Sequence, residues 1–204
     1  MPGLLTSSTT SMLACVITLT VWALIPLDLL PPGQQATPNV VNQESYVLPY
    51  PPGSSYKVLQ GYAGPYGHKD HAEFGYDFQM PIGSAVIAAR SGVVVKVVET
   101  NNDATRRPGD ENLVVIKHSD GTFGRYYHLT REGALVAVGD KVAQGARIAL
   151  SGDSGASAGP HLHFDVTKEC PEWGCQTVGI KFTNVTENPL KQGVTYEAVS
   201  TGKN

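Results

Sequence analysis

The stretch NLVVIKHSDGTFGRYYHL, residues 112–129, contains two short apolar runs on either side of Asp120-Gly121. An Asp-Gly pair between such runs is a strong β-hairpin signal, because glycine tolerates the positive φ that the turn requires. Upstream, SAVIAARSGVVVKVVE (84–99) is rich in Val and Ile and predicts two strands around Ser91-Gly92. Further short strands are predicted in ALVAVGDKVAQGARIALSG (134–152), HLHFDV (161–166) and GIKFTNV (179–185). No stretch shows sustained 3.6-residue periodicity, so the sequence predicts an all-β fold with an antiparallel β-sandwich or barrel-like core.

The length and composition fit one small β-rich domain. The 204 residues suit a single domain preceded by an N-terminal leader. The 22 glycines and 14 prolines favour many turns, and hence short strands rather than long helices. A net charge of -3 gives no basic surface field, so the composition excludes nucleic acid as a partner.

The N-terminus carries an apolar segment, MLACVITLTVWALIPLDLL (12–30). Its uninterrupted apolar part is shorter than the ~20 residues of a membrane-spanning helix and fits the apolar region of a secretory signal. No Lys or Arg precedes Lys57, so a cleaved signal and an uncleaved membrane anchor both stay open. The predicted division is a signal or anchor at 1–30, a linker at 31–45, the folded domain at 46–198 and a tail at 199–204.

Two of the three cysteines lie close together in CPEWGC, as Cys170 and Cys175. An exported protein keeps such a pair oxidised, so we predict a disulfide that closes this short loop. Cys15 lies in the leader. No second cysteine pair exists in the folded region, which excludes an all-cysteine zinc site.

The histidines are the residues most suited to chemistry. His161 and His163 stand two apart in PHLHF, so on a strand both imidazoles project from one face. A catalytic zinc ion takes three protein ligands and keeps one position for water. Asp77 is the carboxylate expected to begin a strand, whereas Asp70 and Glu73 are expected to be loop charges. Spacing alone leaves two histidines open as the third ligand, His68 and His71.

Four motifs in order resemble those of lysostaphin-type (LytM-like) zinc metalloendopeptidases. They lie at GHKDHAEFGYDFQMPIGSAVIAARSGVVVKV (67–97), DGTFGRYYHL (120–129), GDKVAQGARIALSG (139–152) and SGASAGPHLHFDV (154–166). The likeness extends from about Tyr46 to Tyr196. It implies the duplicated hybrid motif fold and endopeptidase activity, usually on peptidoglycan peptides.

The resemblance also implies residue roles. Asp77 and His163 match metal ligands, and His161 and His128 match catalytic histidines, with Zn²⁺ as the cofactor. The chain departs from the short H-x-G-x-D form of the family, because position 73 is Glu. It is similar to a longer variant with a histidine nine residues before the aspartate, which selects His68. His118 is expected to be structural or on the surface.

These observations predict a zinc metalloendopeptidase of the bacterial cell envelope, exported to the periplasm or envelope, with the membrane anchor still open. Its expected partner is peptidoglycan or a peptide, with no nucleic acid. The membrane is a partner only through an uncleaved N-terminal anchor. The alternative is a non-catalytic envelope binding module, or a regulator of wall hydrolases, on the same fold. The scissile bond, the oligomeric state and the choice of general base between His128 and His161 stay open.

Overall fold

A computed structural model describes residues 45–168 and 170–201. The predicted leader, nearly all of the linker and the last residues of the tail lie outside these ranges. Within them, no helix has the length and apolar character needed to cross a membrane.

The described residues form eleven strands and one short 3-10 turn, Asp70–Ala72. The eight-stranded sheet has the order β11-β1-β2-β10-β6-β5-β4-β8, and a three-stranded sheet has the order β3-β9-β7. All strand pairs are antiparallel, which confirms the predicted fold class. The strands are β1 (Ser55–Gln60), β2 (Tyr76–Phe78), β3 (Ala85–Ile87), β4 (Gly92–Val98), β5 (Leu113–Lys117), β6 (Thr122–Tyr127), β7 (Leu129–Ala134), β8 (Lys141–Val142), β9 (Arg147–Ser151), β10 (Leu162–Lys168) and β11 (Thr195–Glu197).

The predicted hairpin at Asp120-Gly121 forms between β5 and β6. Gly121 has a φ of 85°, the conformation for which glycine is favoured. The two strands predicted around Ser91-Gly92 also form, but they belong to different sheets, since β3 pairs with β9 and β4 pairs with β5 and β8. A Cβ at Gly92 would lie 2.4 Å from the backbone oxygen of Lys117, so only glycine fits where the chain crosses between the sheets.

The prediction of a strand at residues 179–185 is wrong. Phe182 makes only an isolated bridge to Tyr46, although its side chain is buried in the core. Its backbone N–H donates to Asn188 Oδ1, and Asn188 Nδ2 donates to its carbonyl, both at 2.8 Å. A side-chain amide therefore satisfies the backbone groups that a neighbouring strand would have paired. Phe182 is therefore buried without belonging to a strand.

Asn184 holds the two ends of the domain side by side. Its side-chain Oδ1 accepts a hydrogen bond from the N–H of Leu48 at 2.8 Å, and its carbonyl accepts one from Val199 at 3.3 Å. The strands nearest these ends, β1 and β11, also pair with each other. The first and last parts of the domain are thus joined through backbone and side-chain contacts.

Strand β10 has one face in the core and the other on the outer side of the large sheet. Leu162, Phe164 and Val166 are buried in the main hydrophobic cluster, which contains residues of both sheets. The alternate residues His163 and Asp165 project from the opposite face, because successive side chains on a strand point to opposite sides. This outer face is the one on which polar groups collect.

Candidate functional site

Strand pairing brings together two residues that lie 86 positions apart. Asp77 on β2 is directly opposite His163 on β10 in the antiparallel register. His163 Nδ1 lies 2.9 Å from Asp77 Oδ1, and both side chains are buried. The imidazole and the carboxylate therefore face each other in the centre of the large sheet.

His68 reaches the same point from the loop between β1 and β2. Its Nε2 lies 3.2 Å from Asp77 Oδ1 and 3.2 Å from His163 Nδ1. One ligand atom of each residue lies within 4.8 Å of the others, and all three residues are buried. The structure thus brings His68 together with Asp77 and His163.

Every residue of this cluster is oriented by a second polar contact. His68 Nδ1 lies 2.9 Å from the carbonyl of Gly61, and His163 Nε2 lies 3.1 Å from Asp165 Oδ2. Gln60 Nε2 donates to Asp77 Oδ2 at 2.7 Å. When His68 Nδ1–H donates to the Gly61 carbonyl and His163 Nε2–H donates to Asp165, the other ring nitrogen of each histidine has its lone pair aimed at the cluster. Two such nitrogens and one carboxylate oxygen are a donor set that fits Zn²⁺, and outer partners of this kind are usual around metal-binding histidines.

Asp165 and Arg125 form a fully buried ion pair behind His163. Arg125 Nε donates to Asp165 Oδ1 at 2.6 Å, and Nη2 donates to Oδ2 at 2.7 Å. Burial opposes ionisation of Asp165, but the hydrogen bonds from His163 and Arg125 outweigh it and lower its pKa to about 2. The carboxylate that orients His163 is therefore ionised at neutral pH.

The electrostatics of the cluster favour a positive charge. Burial raises the pKa of Asp77, but hydrogen bonds to His163 and His68 lower it well below its usual value. Burial lowers the pKa of His163, yet Asp165 and Asp77 outweigh that effect and raise it to about 9. A metal cation at this position would replace a proton, because metal ligation requires the neutral imidazole. Two buried carboxylates thus compensate a charge placed between the histidines.

Two further imidazoles border the cluster. His161 Nε2 lies 3.8 Å from Asp77 Oδ1, while His161 Nδ1 lies 2.8 Å from the carbonyl of Gly159. His128 Nδ1 lies 2.7 Å from the carbonyl of Ser154, and its ring centroid is 4.5 Å from that of His161. With Nδ1 of both rings engaged by the backbone, His161 presents its Nε2 to the cluster, and the ring centroid of His128 lies 6.3 Å from that of His163.

His128 is held in an uncommon environment. It follows β6 directly and has a φ of 62°, in the left-handed region that non-glycine residues seldom adopt. Burial, followed by the nearby His161 and His163, lowers the pKa of His128 to about 3. Its imidazole is therefore neutral at physiological pH.

The remaining histidines lie elsewhere. The ring of His71 packs edge-on against Trp173 at 5.5 Å, and His71 is not part of the cluster. His118 is buried, with Nδ1 2.8 Å from the carbonyl of Ser91 and its ring edge against Tyr46. Of the two expected roles for His118, structural or on the surface, its burial supports the structural one.

Three residues that support the cluster were not predicted from the sequence, namely Gln60, Arg125 and Asp165. A signal for Asp165 existed, since it follows His163 by two residues and must share its face of the strand. No local signal marks Gln60 or Arg125, because their partners are brought near by strand pairing alone.

A cleft of about 950 Å³ opens above the cluster. Its wall includes all five site residues, His68, Asp77, His128, His161 and His163, with Tyr66 and Trp173 at exposed positions. The site is thus reachable by a molecule of peptide size.

Gly75 lies against the two histidine rings. A Cβ on Gly75 would stand 2.8 Å from His163 Cε1 and 3.3 Å from His68 Cε1, so one or both rings must shift. We expect Gly75→Ala to weaken zinc binding by about 10–100-fold, the usual cost of disturbing residues around metal ligands. Titration with a competing chelator measures this. The matched control is Gly179→Ala, where the nearest atom, Phe74 Cδ1, is an ordinary 3.6 Å away. Equal zinc affinities for the two variants would contradict this reading of Gly75.

An all-β domain with a buried His-Asp-His cluster and two adjacent imidazoles belongs to the class of metal-dependent hydrolase folds. The chain is a member of peptidase family M23, whose family model matches residues 71–174. The matched range contains Asp77, His128, His161 and His163 and begins three residues after His68.

Named relatives support this membership. The chain is 45% identical over 92 residues to peptidoglycan DD-endopeptidase ShyA of Vibrio cholerae, covering 45% of this chain and 19% of ShyA. It is 38% identical over 114 residues to lysostaphin of Staphylococcus simulans, covering 54% of this chain and 21% of lysostaphin. The chain therefore spans only about a fifth of the length of these curated relatives.

A solved structure supports the fold. The catalytic domain of the prophage-encoded M23 protein EnpA from Enterococcus faecalis aligns with a TM-score of 0.50 at 26% identity. The alignment covers 64% of this chain and 94% of that domain.

Proposed function

We propose that the chain is a zinc metalloendopeptidase of the bacterial cell envelope that hydrolyses peptide bonds in peptidoglycan cross-links or stem peptides. The observation that carries the proposal is the convergence of His68, Asp77 and His163 beside two further imidazoles. Membership of peptidase family M23 and the similarity to a peptidoglycan DD-endopeptidase support the substrate class.

In this proposal His68 Nε2, Asp77 Oδ1 and His163 Nδ1 are the metal ligands. When bound by them, a zinc ion supplies Lewis acidity that activates water and polarises a peptide carbonyl near neutral pH. Asp165 and the Gly61 carbonyl hold the two imidazoles in the required tautomers, and Gln60 fixes the carboxylate. Three ligands leave a position for water, as in other catalytic zinc sites.

His161 and His128 are the proposed proton-transfer residues. His161 Nε2 is close to the ligand cluster and is placed to accept a proton from the attacking water, because its Nδ1 is engaged by the backbone. His128 lies against His161 and faces the same cleft. Because its Nδ1–H is donated to the Ser154 carbonyl, its Nε2 assists the leaving amine or the developing oxyanion only after it has taken up the proton released by the attacking water. Its lowered pKa keeps it neutral before the reaction begins.

The proposed location is the periplasm or cell envelope. The Cys170–Cys175 disulfide, which the structure contains as predicted, is typical of proteins exposed to an oxidising compartment. The relatives named for peptidoglycan cleavage support the same location. An N-terminal anchor is retained as a proposal from the sequence.

The test uses the full chain, loaded with zinc and incubated with isolated peptidoglycan. We expect new amino termini in the released peptides, identified by mass spectrometry, because a peptidase leaves an amine at each cut. A chelator should abolish this release, and added zinc should restore it. Zinc-loaded protein that binds wall fragments but generates no amino termini would instead support the non-catalytic binding module.

A further inference from the structure

The disulfide-closed loop 170–175, which follows β10, lies beside the cleft. It carries Trp173, whose ring centroid is 5.6 Å from that of Tyr127 and 6.2 Å from that of His163. In spite of these contacts, 58% of Trp173 is exposed. A large aromatic side chain is thus presented to solvent next to a proposed metal ligand, and neither the fold nor the proposed hydrolysis accounts for it.

Four contacts fix this loop in place. The disulfide joins its ends, and the carbonyl of Glu172 accepts a hydrogen bond from Arg125 Nη1. Glu172 Oε2 accepts a hydrogen bond from Lys96 Nζ at 2.6 Å. The Arg125 guanidinium also lies 5.9 Å from the centroid of the Trp173 ring. Because Arg125 is completely buried and pairs with Asp165, the loop is connected to the rigid centre of the sheet.

A fixed aromatic surface favours binding. A side chain that is already held in its bound position loses little conformational entropy when a ligand contacts it. Trp173 therefore has the property expected of a residue that recognises a ligand, namely a large contact area presented in one orientation.

The cleft beside Trp173 is largely apolar, and the charged residues that line it, Lys96, Glu172 and Glu111, already have hydrogen-bond partners. Tyr127 and Leu113 line it and belong to a small hydrophobic cluster on the outer face of the large sheet. Val98 packs against the same cluster and also lines the cleft. A ligand group that fits between this surface and the indole is uncharged and apolar, because a charged group would lose its hydration there without a partner.

We propose that Trp173 is a specificity-determining residue that contacts an apolar side chain of the peptide substrate adjoining the scissile bond. The chain would then prefer peptides with alanine at that position over all-glycine peptides, which offer no side chain to this wall. The inference rests on the proposed function and deepens it by naming the substrate class.

The kinetic test compares zinc-loaded full-length wild type with Trp173→Ala on an alanine-containing cross-linked peptide and on pentaglycine. We expect Trp173→Ala to reduce the preference for the alanine peptide, measured as the ratio of kcat/KM values, by about tenfold. This is the scale on which a pocket distinguishes one apolar carbon. The change should appear mainly in KM, and zinc stoichiometry should stay at the wild-type value. Trp173→Phe should restore much of the preference, since it keeps an aromatic face.

A matched control is Val138→Ala, because Val138 is a similarly exposed apolar residue that does not line the cleft. It should keep the wild-type preference. A Trp173→Ala variant with the same preference and KM values as wild type would overturn the inference while leaving the proposed function intact.

A binding measurement separates the two ideas further. The chain has two tryptophans, so Trp22→Phe leaves Trp173 as the single indole emitter. In a Trp22→Phe/His161→Ala full-length protein, the alanine peptide should shift the emission to shorter wavelength as the indole becomes buried, and pentaglycine should shift it much less. Equal shifts, or no shift with saturating alanine peptide, would overturn the inference. If wild type cleaves neither peptide, the proposed function fails, and this binding result alone decides the role of Trp173.

Discussion

The His163→Ala variant is expected to lose zinc and hydrolytic activity together. Removing one ligand from a three-ligand site leaves two donors, which do not retain the ion at ordinary concentrations. The fold should survive the change, because Asp165 keeps both of its hydrogen bonds to Arg125 when His163 is absent. Zinc per chain by elemental analysis, peptide release from isolated wall and a thermal melt together measure the three outcomes.

The matched control is His71→Ala, which removes an imidazole of the same region that lies against Trp173 and outside the cluster. We expect it to keep about one zinc per chain, whereas His68→Ala should lose the metal. Zinc lost from His71→Ala but retained by His68→Ala would show that the wrong histidine has been chosen as a ligand.

The His161→Ala variant is expected to retain zinc while kcat falls by roughly 10²–10⁴-fold, the contribution of a positioned acid–base group. Its Nε2 is 3.8 Å from Asp77 Oδ1, close enough to act on a water held at the cluster, but it is not one of the three converging ligands. His128→Ala should show the same separation of metal content from turnover. The measurement is zinc stoichiometry alongside kcat on a synthetic wall peptide.

Two other outcomes would contradict these roles for His161 and His128. If the His161→Ala and His128→Ala proteins match wild type in peptide release, neither imidazole serves in proton transfer. If His161→Ala also loses its zinc, His161 belongs to the ligand set, and the division between ligands and catalytic residues must be redrawn.

Local patterns predicted the parts of this fold that depend on neighbours in sequence. The Asp120-Gly121 turn fixed a hairpin, and the alternation of His161 and His163 placed two imidazoles on one face. Local patterns failed for 179–185, where the short apolar run predicted a strand but the backbone of Phe182 pairs with the Asn188 side chain. A strand requires a partner, and the partner is a property of the whole fold.

The residues of the candidate site were likewise only partly predictable from the sequence. The resemblance in motif order named Asp77, His128, His161 and His163 and preferred His68, and the structure brings these five residues to one cleft. The supporting residues were not predictable, because Gln60 and Arg125 become neighbours of the cluster only through the pairing of β1, β2, β10 and β6. Sequence patterns identify ligand chemistry, whereas tertiary contacts decide which groups orient those ligands.

The contacts of Asn184 bear on how this domain is used in larger architectures. Because Leu48 and Val199 bond to the same residue, a polypeptide entering and leaving the domain would do so at one point. None of these three residues lines the cleft. Domains whose ends meet can be spliced into longer chains with little disturbance to their interiors. Such a unit can therefore be joined to varied flanking domains while its cleft stays accessible. The matched region accordingly forms only about a fifth of ShyA and of lysostaphin.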